Sequence, residues 1–290
     1  MSSMLDIENS EATEHAGDEP RSFGQIVKDE ALEWYRLLIV FIPVLFVFSF
    51  LGFEQRVIPS ESMVPNLQVG DRVLVNKFSY GYSRYSIPWG LDRIVPLPDG
   101  RFLGRSPKRG DVIVFMHPHV RRVMIKRLIG IPGDRVEMRD EVLYLNGEPV
   151  ETEFIRNLNY IPQKRRFPQS TREYSEKIGD KTILVHQWEK GISASDTSPV
   201  FQVPEGHLLF IGDNRDNSTD GRATNGHCRP VNGVISNAGC PPSRAPEDAS
   251  IGFVPMNNVI GKGVTVAWTT KRCREQEGLT CPPKRVWRGL

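Results

Sequence analysis

The longest apolar run in the chain is "LLIVFIPVLFVFSFLGF", residues 37–53, which is uncharged and contains one proline. Its length is near the lower limit for a helix that crosses a hydrocarbon core about 30 Å thick. Trp34 and Tyr35 precede it and suit a membrane interface. We predict a retained anchor at 34–53. The alternatives are a buried core helix and a cleaved signal peptide, but the latter would need a long acidic leader and a small-x-small cleavage site, which does not follow "SFLGF".

After residue 55 the pattern changes to short β-branched runs that are cut by Gly, Pro and Asp. Examples are "DRVLVNKF", "GDVIVFMH", "GHLLFIGD" and "GKGVTVAW". "YLNGEPV" predicts a hairpin turn at Asn146 and Gly147. No amphipathic helix of ten residues stands out in this part of the sequence. We therefore predict a mostly β fold, in which antiparallel sheets follow a single N-terminal transmembrane helix.

Charge is distributed unevenly along the chain. The net charge is +2, but residues 1–33 carry nine acidic and two basic side chains, which leaves +9 on the remainder. An acidic leader with few aromatics is typical of a solvated tail. The body has neither a concentrated Lys/Arg helix nor interleaved aromatics, so nucleic acid is not an expected partner.

Four cysteines lie late in the chain, at Cys228, Cys240, Cys273 and Cys281. An even number in two close pairs favours disulfides in an oxidising compartment, where 228–240 and 273–281 would close short loops. Three connectivities are possible, and the sequence does not choose among them. Zinc bound with His227 is the alternative, but the spacings do not match zinc templates, so no metal is expected.

Two hydroxyls stand directly behind the anchor in "VIPSESMVPNL". Pro59 and Pro65 bracket Ser60 and Ser62 and exclude a helix of any length there. In an extended segment the two serines alternate with Glu61, so both hydroxyls would face one side. Serines beside prolines are usually turn formers. A serine nucleophile would also need a base.

Lys126 is the candidate base. The sequence has no G-x-S-x-G elbow, and His117 and His119 in "FMHPHV" suit a strand end or an exposed loop. In "RRVMIKRLIGIPGD", strand alternation puts Lys126 on one face with Met124 and Leu128. Burial among apolar side chains lowers the pKa of a lysine towards neutrality. Such a lysine is costly unless it snorkels, is paired, or is kept neutral for catalysis.

A third polar segment is "GDNRDNSTDGR", residues 212–222. Asp216, Ser218 and Asp220 are spaced as at the start of a calcium loop, but the twelfth position is His227 and no helices flank the segment. The physical alternative is a hydrogen-bonded turn that fixes a hydroxyl and an Asp–Arg pair beside the lysine.

Taken together, these segments resemble bacterial type I signal peptidase, the leader peptidase of the Ser-Lys class. The resemblance rests on their order behind an anchor: "IPSESMVPNLQVGDRVLVNKFSYG" (58–81), "RGDVIVF" (109–115), "MIKRLIGIPGD" (124–134), "GDNRDNSTDGR" (212–222) and "GFVP" (252–255). Self-cleaving repressors share Ser-Lys chemistry and a similar β fold. They carry a DNA-binding helical leader where this chain has its apolar run.

The resemblance implies a role for each matching residue. Ser62 would be the nucleophile and Lys126 the general base, while the Ser62 N–H and the Ser60 hydroxyl would form the oxyanion hole. Ser218 would hydrogen-bond the Lys126 ammonium. Two residues would brace the loop: Asp220 and Arg222. Shallow pockets for small residues at the first and third positions before the cut would be lined by Ile58, Pro59, Met63, Leu67, Met124 and Ile125.

Glu61 departs from the family pattern, which commonly has glycine between the two serines. It adds a charge beside the nucleophile and disfavours a positive φ. We expect altered substrate preference and retained activity.

The implied function is a membrane-anchored serine endopeptidase without cofactors, which removes signal peptides from exported preproteins by cutting after Ala-x-Ala through an acyl-enzyme. Its partners would be signal peptides, the lipid bilayer and, transiently, the secretion machinery. It would lie in the bacterial inner membrane with a cytoplasmic N-terminus and a periplasmic catalytic domain. The alternatives are a membrane-anchored β binding or scaffold module without catalysis, and a Ser-Lys protein that cleaves itself.

The resemblance and the composition together divide the chain into six parts. These are an acidic cytoplasmic tail (1–33), the anchor (34–53), the first part of a catalytic β domain with an aromatic hairpin at 78–91 (54–135), a second, non-catalytic β lobe (136–203), the second part of the catalytic domain with an insertion at 223–250 (204–270), and a C-terminal tail (271–290). The aromatics of 78–91 either pack on the core or dip into the lipid interface, for which Trp268 and Trp287 are further candidates.

Overall fold

One long helix, α1 (Phe23–Leu51), begins the structure, which is a computed structural model. It describes residues 22–87, 100–160, 168–189, 193, 195–223, 230–236, 251–270 and 286–290. The part of α1 at Phe23–Phe48 is long and apolar enough to span a membrane, and its most apolar stretch is not buried in protein. Twenty-nine helical residues extend about 43 Å, which exceeds a hydrocarbon core of about 30 Å.

The helix begins before the predicted anchor. Residues 23–33 are helical and exposed, so α1 includes the end of the predicted tail as well as most of the predicted anchor at 34–53. The physical reason is that this stretch is rich in good helix formers such as Lys28, Glu30 and Leu32, and a nucleated helix propagates through them. Residues 1–21 lie outside the described residues.

The rest of the described chain is dominated by β-strands. Their bounds are β1 (Phe53–Val57), β2 (Asp71–Asn76), β3 (Val112–Met116), β4 (Val123–Gly130), β5 (Arg135–Arg139), β6 (Val142–Leu145), β7 (Glu148–Pro149), β8 (Thr152–Tyr160), β9 (Gln169–Ile178), β10 (Lys181–Trp188), β11 (Val200–Gln202), β12 (His207–Ile211), β13 (Val234–Ile235), β14 (Phe253–Pro255), β15 (Val259–Thr269) and β16 (Val286–Gly289). The mostly β prediction is confirmed.

These strands form three sheets. The central sheet has the order β1-β2-β15-β3-β4-β12-β14, with β16 paired to β15. A three-stranded sheet has the order β10-β9-β8, and a five-stranded sheet has the order β13-β11-β5-β6-β7. Within the described residues, the strands of 136–203 thus belong to two sheets that are separate from the central one. The turn between β6 and β7 has positive φ at Asn146 and Gly147, which confirms the predicted hairpin turn.

Strand β3 explains how the central sheet builds its core. Val112 and Val114 belong to one buried apolar cluster, whereas Ile113 and Phe115 belong to another. Alternate side chains of a strand point to opposite faces, so β3 is buried on both. A strand covered on both faces reads as an unbroken apolar run, as "VIVFM" does.

The predicted aromatic hairpin at 78–91 is not present in the described part, 78–87. Two 3-10 turns, Phe78–Tyr80 and Arg84–Ser86, take its place. Gly81 separates them at a φ of 75°, and a Cβ there would lie 2.4 Å from backbone oxygens of the neighbouring segment. Ser83 and Ser86 satisfy each other's backbone in a capping box, and such local bonds compete with strand pairing. Trp89 lies outside the described residues.

The predicted C-terminal tail at 271–290 is also corrected. Its last residues form β16, which pairs antiparallel with β15, because the edge of β15 beyond its pairing with β3 is available for another strand. Within the predicted insertion at 223–250, β13 pairs parallel with β11. All four cysteines lie outside the described residues, so the disulfide pairing stays a prediction.

Candidate active site

Ser62 and Lys126 meet although 64 positions separate them. Lys126 Nζ lies 2.5 Å from Ser62 Oγ, and Nζ also donates to the Ile125 carbonyl at 3.2 Å. Ser62 is 6% exposed and Lys126 3% exposed. Lys126 is on β4. Ser62 lies in a turn that follows β1 and Pro59. The hydroxyl and the amine therefore form a buried pair that excludes bulk water.

Burial lowers the pKa of Lys126 to about 8, since a charged ammonium is poorly solvated there. The carboxylates of Asp220 and Asp213 act in the opposite direction, and Arg122 lowers the pKa further. A substantial fraction of this amine is consequently neutral near pH 8. A neutral amine within hydrogen-bond distance of a hydroxyl is able to accept its proton.

Ser60 lies on the solvent side of the same pair. Its Oγ is 3.4 Å from Ser62 Oγ, and its side chain is exposed. The expectation that both hydroxyls face one side agrees with this distance. A hydroxyl in this position can donate to an oxyanion that forms on a carbonyl attacked by Ser62.

The loop at 212–222 packs directly against the nucleophile segment. A Cβ on Gly212 would lie 2.5 Å from the Ser62 carbonyl oxygen, so only glycine fits. The Gly212 N–H donates to Asp220 Oδ2 at 3.0 Å. Arg222 donates to Asp220 through Nε at 3.0 Å and Nη2 at 2.9 Å, and to the Arg215 carbonyl at 2.6 Å. The Asp–Arg pair thus holds the backbone that abuts Ser62.

One predicted contact is wrong. Ser218 Oγ is buried and has no hydrogen-bond partner in the described part of the chain, so it does not bind the Lys126 ammonium. The acceptors of Lys126 Nζ are Ser62 Oγ and the Ile125 carbonyl. The Ser218 hydroxyl instead packs against Gly212, where it would lie 2.2 Å from an added Cβ.

The predicted pocket residues divide into two groups. Met63 and Leu67 are fully buried in the apolar cluster under the central sheet and cannot line a surface pocket, because the chain turns inward after Ser62. Pro59 is exposed, and Met124 and Ile125 are half-buried. Ile58 is buried against the same cluster. Of the predicted pocket residues, Pro59, Met124 and Ile125 therefore remain accessible to a ligand, whereas Ile58, Met63 and Leu67 do not.

Strand β4 has one open edge beside the buried pair. Residues 123–127 pair with β3 on one side, whereas β12 pairs on the other side with residues 127–130 only. No described strand covers that second edge at 123–126. Unpaired N–H and C=O groups on a strand edge accept an extended peptide as an added strand.

Sequence reasoning missed a buried charge network under the nucleophile loop. Arg127 donates to both carboxylate oxygens of Asp213 at 2.7 Å, and Asn66 Nδ2 donates to Asp213 at 2.8 Å and to the Leu184 carbonyl at 2.7 Å. Arg127 follows Lys126, and Asp213 lies within the polar segment 212–222. Arg127 and Asp213 both lie inside segments that carry the family resemblance, and this is the signal in the sequence that could have pointed to the network.

The three-stranded sheet also contacts the site loop. His186 forms a bridge with Asn214, and its N–H donates to the Asp213 carbonyl at 2.9 Å. Asn214 N–H donates to the Ser62 carbonyl at 3.1 Å. The lobe predicted to be non-catalytic therefore supports the loop that holds the nucleophile. Within the described ranges, no group of three His, Cys, Asp or Glu residues is arranged to bind a metal.

The chain is similar to proteins of one enzyme family. Residues 31–268 match the family described as signal peptidase, peptidase S26. Signal peptidase I of Rickettsia massiliae (strain Mtu5) is 31% identical over 246 residues, which cover 82% of this chain and 80% of that protein. Signal peptidase I of Rickettsia typhi (strain ATCC VR-144 / Wilmington) is 33% identical over 235 residues, with coverages of 78% and 75%. A crystal structure of a signal peptidase I from Enterococcus faecalis V583 is 23% identical, with a TM-score of 0.27 and coverages of 55% and 97%.

Proposed function

Because the chain belongs to the signal peptidase I family of S26 peptidases, a family of membrane-anchored enzymes that remove signal peptides, we propose that its hydrolysis is carried out by Ser62 and Lys126. The observation that supports this assignment is the 2.5 Å distance between a buried amine and a buried hydroxyl. Packing alone does not account for the pair, because burying a lysine costs stability that an apolar side chain would not cost.

The proposed reaction begins with a neutral Lys126. Its Nζ accepts the Ser62 proton as Oγ attacks the scissile carbonyl, and the Ser62 N–H and Ser60 hydroxyl stabilise the oxyanion. Lys126 then returns the proton to the leaving amine, which departs as the new N-terminus of the mature protein. Lys126 next deprotonates a water molecule, which attacks the acyl ester; as the ester bond breaks, Lys126 returns the proton to Ser62 Oγ and the signal peptide is released with a new carboxylate.

The open edge of β4 at 123–126 is the proposed docking place for the residues before the cut. An extended signal-peptide segment would add as a strand there and reach the Ser62 hydroxyl, which Lys126 on the same strand contacts. Met124 and Ile125 are half-buried, so the space beside them is shallow and suits small side chains such as those of Ala-x-Ala.

The proposed function predicts a specific pH dependence. Cleavage of a peptide carrying Ala-x-Ala should rise with pH as Lys126 loses its proton, with a midpoint near pH 8, and then level off. The sign follows from the role of the base, which acts only when neutral. The measurement is the pH profile of kcat/KM for the full chain in detergent. A profile that is flat between about pH 6 and 9.5 would remove Lys126 as the base.

Location and partners are proposed on the same basis. The chain would cross the bacterial inner membrane once through α1, with a cytoplasmic N-terminus and a periplasmic catalytic part. Preproteins would reach it as they leave the secretion machinery. The four cysteines support an oxidising compartment for the part of the chain after the anchor.

We also propose that a mostly aromatic patch, whose side chains are exposed or half-buried, contacts the lipid. The patch comprises Phe53, Phe78, Tyr82, Phe102 and Leu103, and its rings contact one another in the order Phe53, Phe78, Tyr82. Phe102 is 71% exposed and Leu103 70% exposed. The patch adjoins Gly52, the residue at which the chain leaves α1. Exposed aromatics at such a position are favoured in the membrane interface.

Phe102→Trp should therefore increase the quenching of tryptophan fluorescence by brominated lipids when the full chain is reconstituted in vesicles. The matched control is Val231→Trp, because Val231 is similarly exposed but lies outside the patch. Equal quenching of both variants would contradict contact between the patch and the lipid.

A further inference from the structure

Glu61 lies between the two serines of the active site, and it makes specific hydrogen bonds with the loop at 212–222. Its side chain is half-buried, and Oε2 accepts a hydrogen bond from Asn217 Nδ2 at 3.1 Å. Its carbonyl accepts a second bond from Asn214 Nδ2 at 3.2 Å. The same Asn214 amide donates to the Tyr160 hydroxyl at 2.9 Å. Residue 61 is thus held through both its main chain and its side chain.

The two asparagines reach Glu61 because of a turn in the site loop. The Asn217 N–H donates to the Asn214 carbonyl at 3.2 Å, so a tight turn closes between them. Their side chains then reach the nucleophile segment together, while the Asn214 N–H binds the Ser62 carbonyl at 3.1 Å. Tyr160 ends β8 and joins the three-stranded sheet to the same group.

The segment that these bonds hold carries three groups of the proposed mechanism. They are the Ser62 hydroxyl, the Ser62 N–H and the Ser60 hydroxyl, which flank Glu61 on both sides. Glu61 is not among the described non-glycine residues with positive φ, so its backbone adopts an ordinary conformation. A residue of this kind, tied at its carboxylate, restricts the segment more than a glycine would, since glycine has the greatest backbone freedom.

We propose that Glu61 is a positioning residue whose carboxylate, bound by Asn217, holds segment 60–62 in the geometry that the nucleophile and the oxyanion hole require. The inference rests on the proposed function, because the geometry matters only if these serines act on a substrate. The carboxylate does not act as a base, and Lys126 retains that role.

The test uses the full chain in detergent, with kcat and KM measured separately on an Ala-x-Ala peptide. Glu61→Ala should lower kcat about tenfold and leave KM within about twofold, since a lost charged hydrogen bond misplaces the reacting atoms without removing peptide contacts. Asn217→Ala should have the same effect. The loss in the double variant should be smaller than the product of the two single losses, because both changes remove the bond between Glu61 and Asn217.

Glu61→Gln is the matched control, because its amide oxygen can still accept from Asn217. It should retain kcat within about threefold, and the midpoint of its pH profile should stay where it is in the parent chain. The charges that act on the Lys126 pKa are Asp220, Asp213 and Arg122, so a positioning role leaves the midpoint unchanged. Melting temperatures of all variants show whether each one folds.

Three outcomes would overturn the proposal: a Glu61→Ala variant with parental kcat, losses that multiply in the double variant, or an effect confined to KM. If the parent chain itself cleaves no peptide, the proposed function fails instead. In that case the unfolding free energies of the same four chains still measure the coupling between Glu61 and Asn217, and a coupling of zero would refute the bond.

Discussion

Lys126→Ala and Ser62→Ala are each expected to reduce signal-peptide cleavage by a factor on the order of 10³ or more. Lys126 is the only amine with a described bond to the Ser62 hydroxyl, so removing either partner removes the activated nucleophile. The two losses should not multiply in the double variant, because the residues act as one unit. The measurement is kcat/KM on a preprotein or an Ala-x-Ala peptide.

Lys177→Ala is the matched control for this prediction. Lys177 is exposed, and its ion pair within the described part of the chain is with the exposed Glu151. Its removal should leave cleavage unchanged. Circular dichroism and melting curves should show that the Ser62 and Lys126 variants remain folded. Robust cleavage by either folded variant would refute the dyad and assign the chemistry to other residues of the chain.

The second large effect concerns stability. Arg215→Met should destabilise the chain by about 3–5 kcal/mol, because it leaves Glu176 as an uncompensated buried charge. Arg215 donates to Glu176 through Nη1 at 2.9 Å and through Nη2, and both side chains are almost fully buried. Urea unfolding of the full chain in detergent measures the change.

The double variant Arg215→Met with Glu176→Leu tests the cause of this loss. Removing both charges should recover most of the stability, since the penalty comes from the unpaired carboxylate and not from lost volume. If the double variant is as unstable as the single one, packing around Arg215 explains the effect and the ion pair does not.

Much of the site could be predicted from the sequence because its residues sit in short, unusual segments. A lysine within an apolar run and two serines between prolines are uncommon enough to be noticed. The prediction that Ser62 and Lys126 meet came from the resemblance, because spacing alone says nothing about contact between residues 64 positions apart. The β class followed from local alternation, which the pleat imposes directly.

The remaining features depend on tertiary packing, which leaves little trace in local patterns. The burial of Met63 and Leu67 follows from the inward turn of the chain after Ser62. The orientation of the Ser218 hydroxyl towards Gly212 follows from a close approach of two backbones. The bond from Asn66 to Asp213 joins residues 147 positions apart. The early start of α1 was missed because its polar first turns lack the apolar periodicity that marks a membrane span.

The proposed docking of signal peptides at the open edge of β4 would constrain the order of events during export. Only a chain segment free of its own secondary structure can hydrogen-bond to that edge, because helical or folded backbone has already used its donors and acceptors. A precursor that folds around its cleavage region before release would escape processing. Maturation by this enzyme would thus compete in time with the folding of its client.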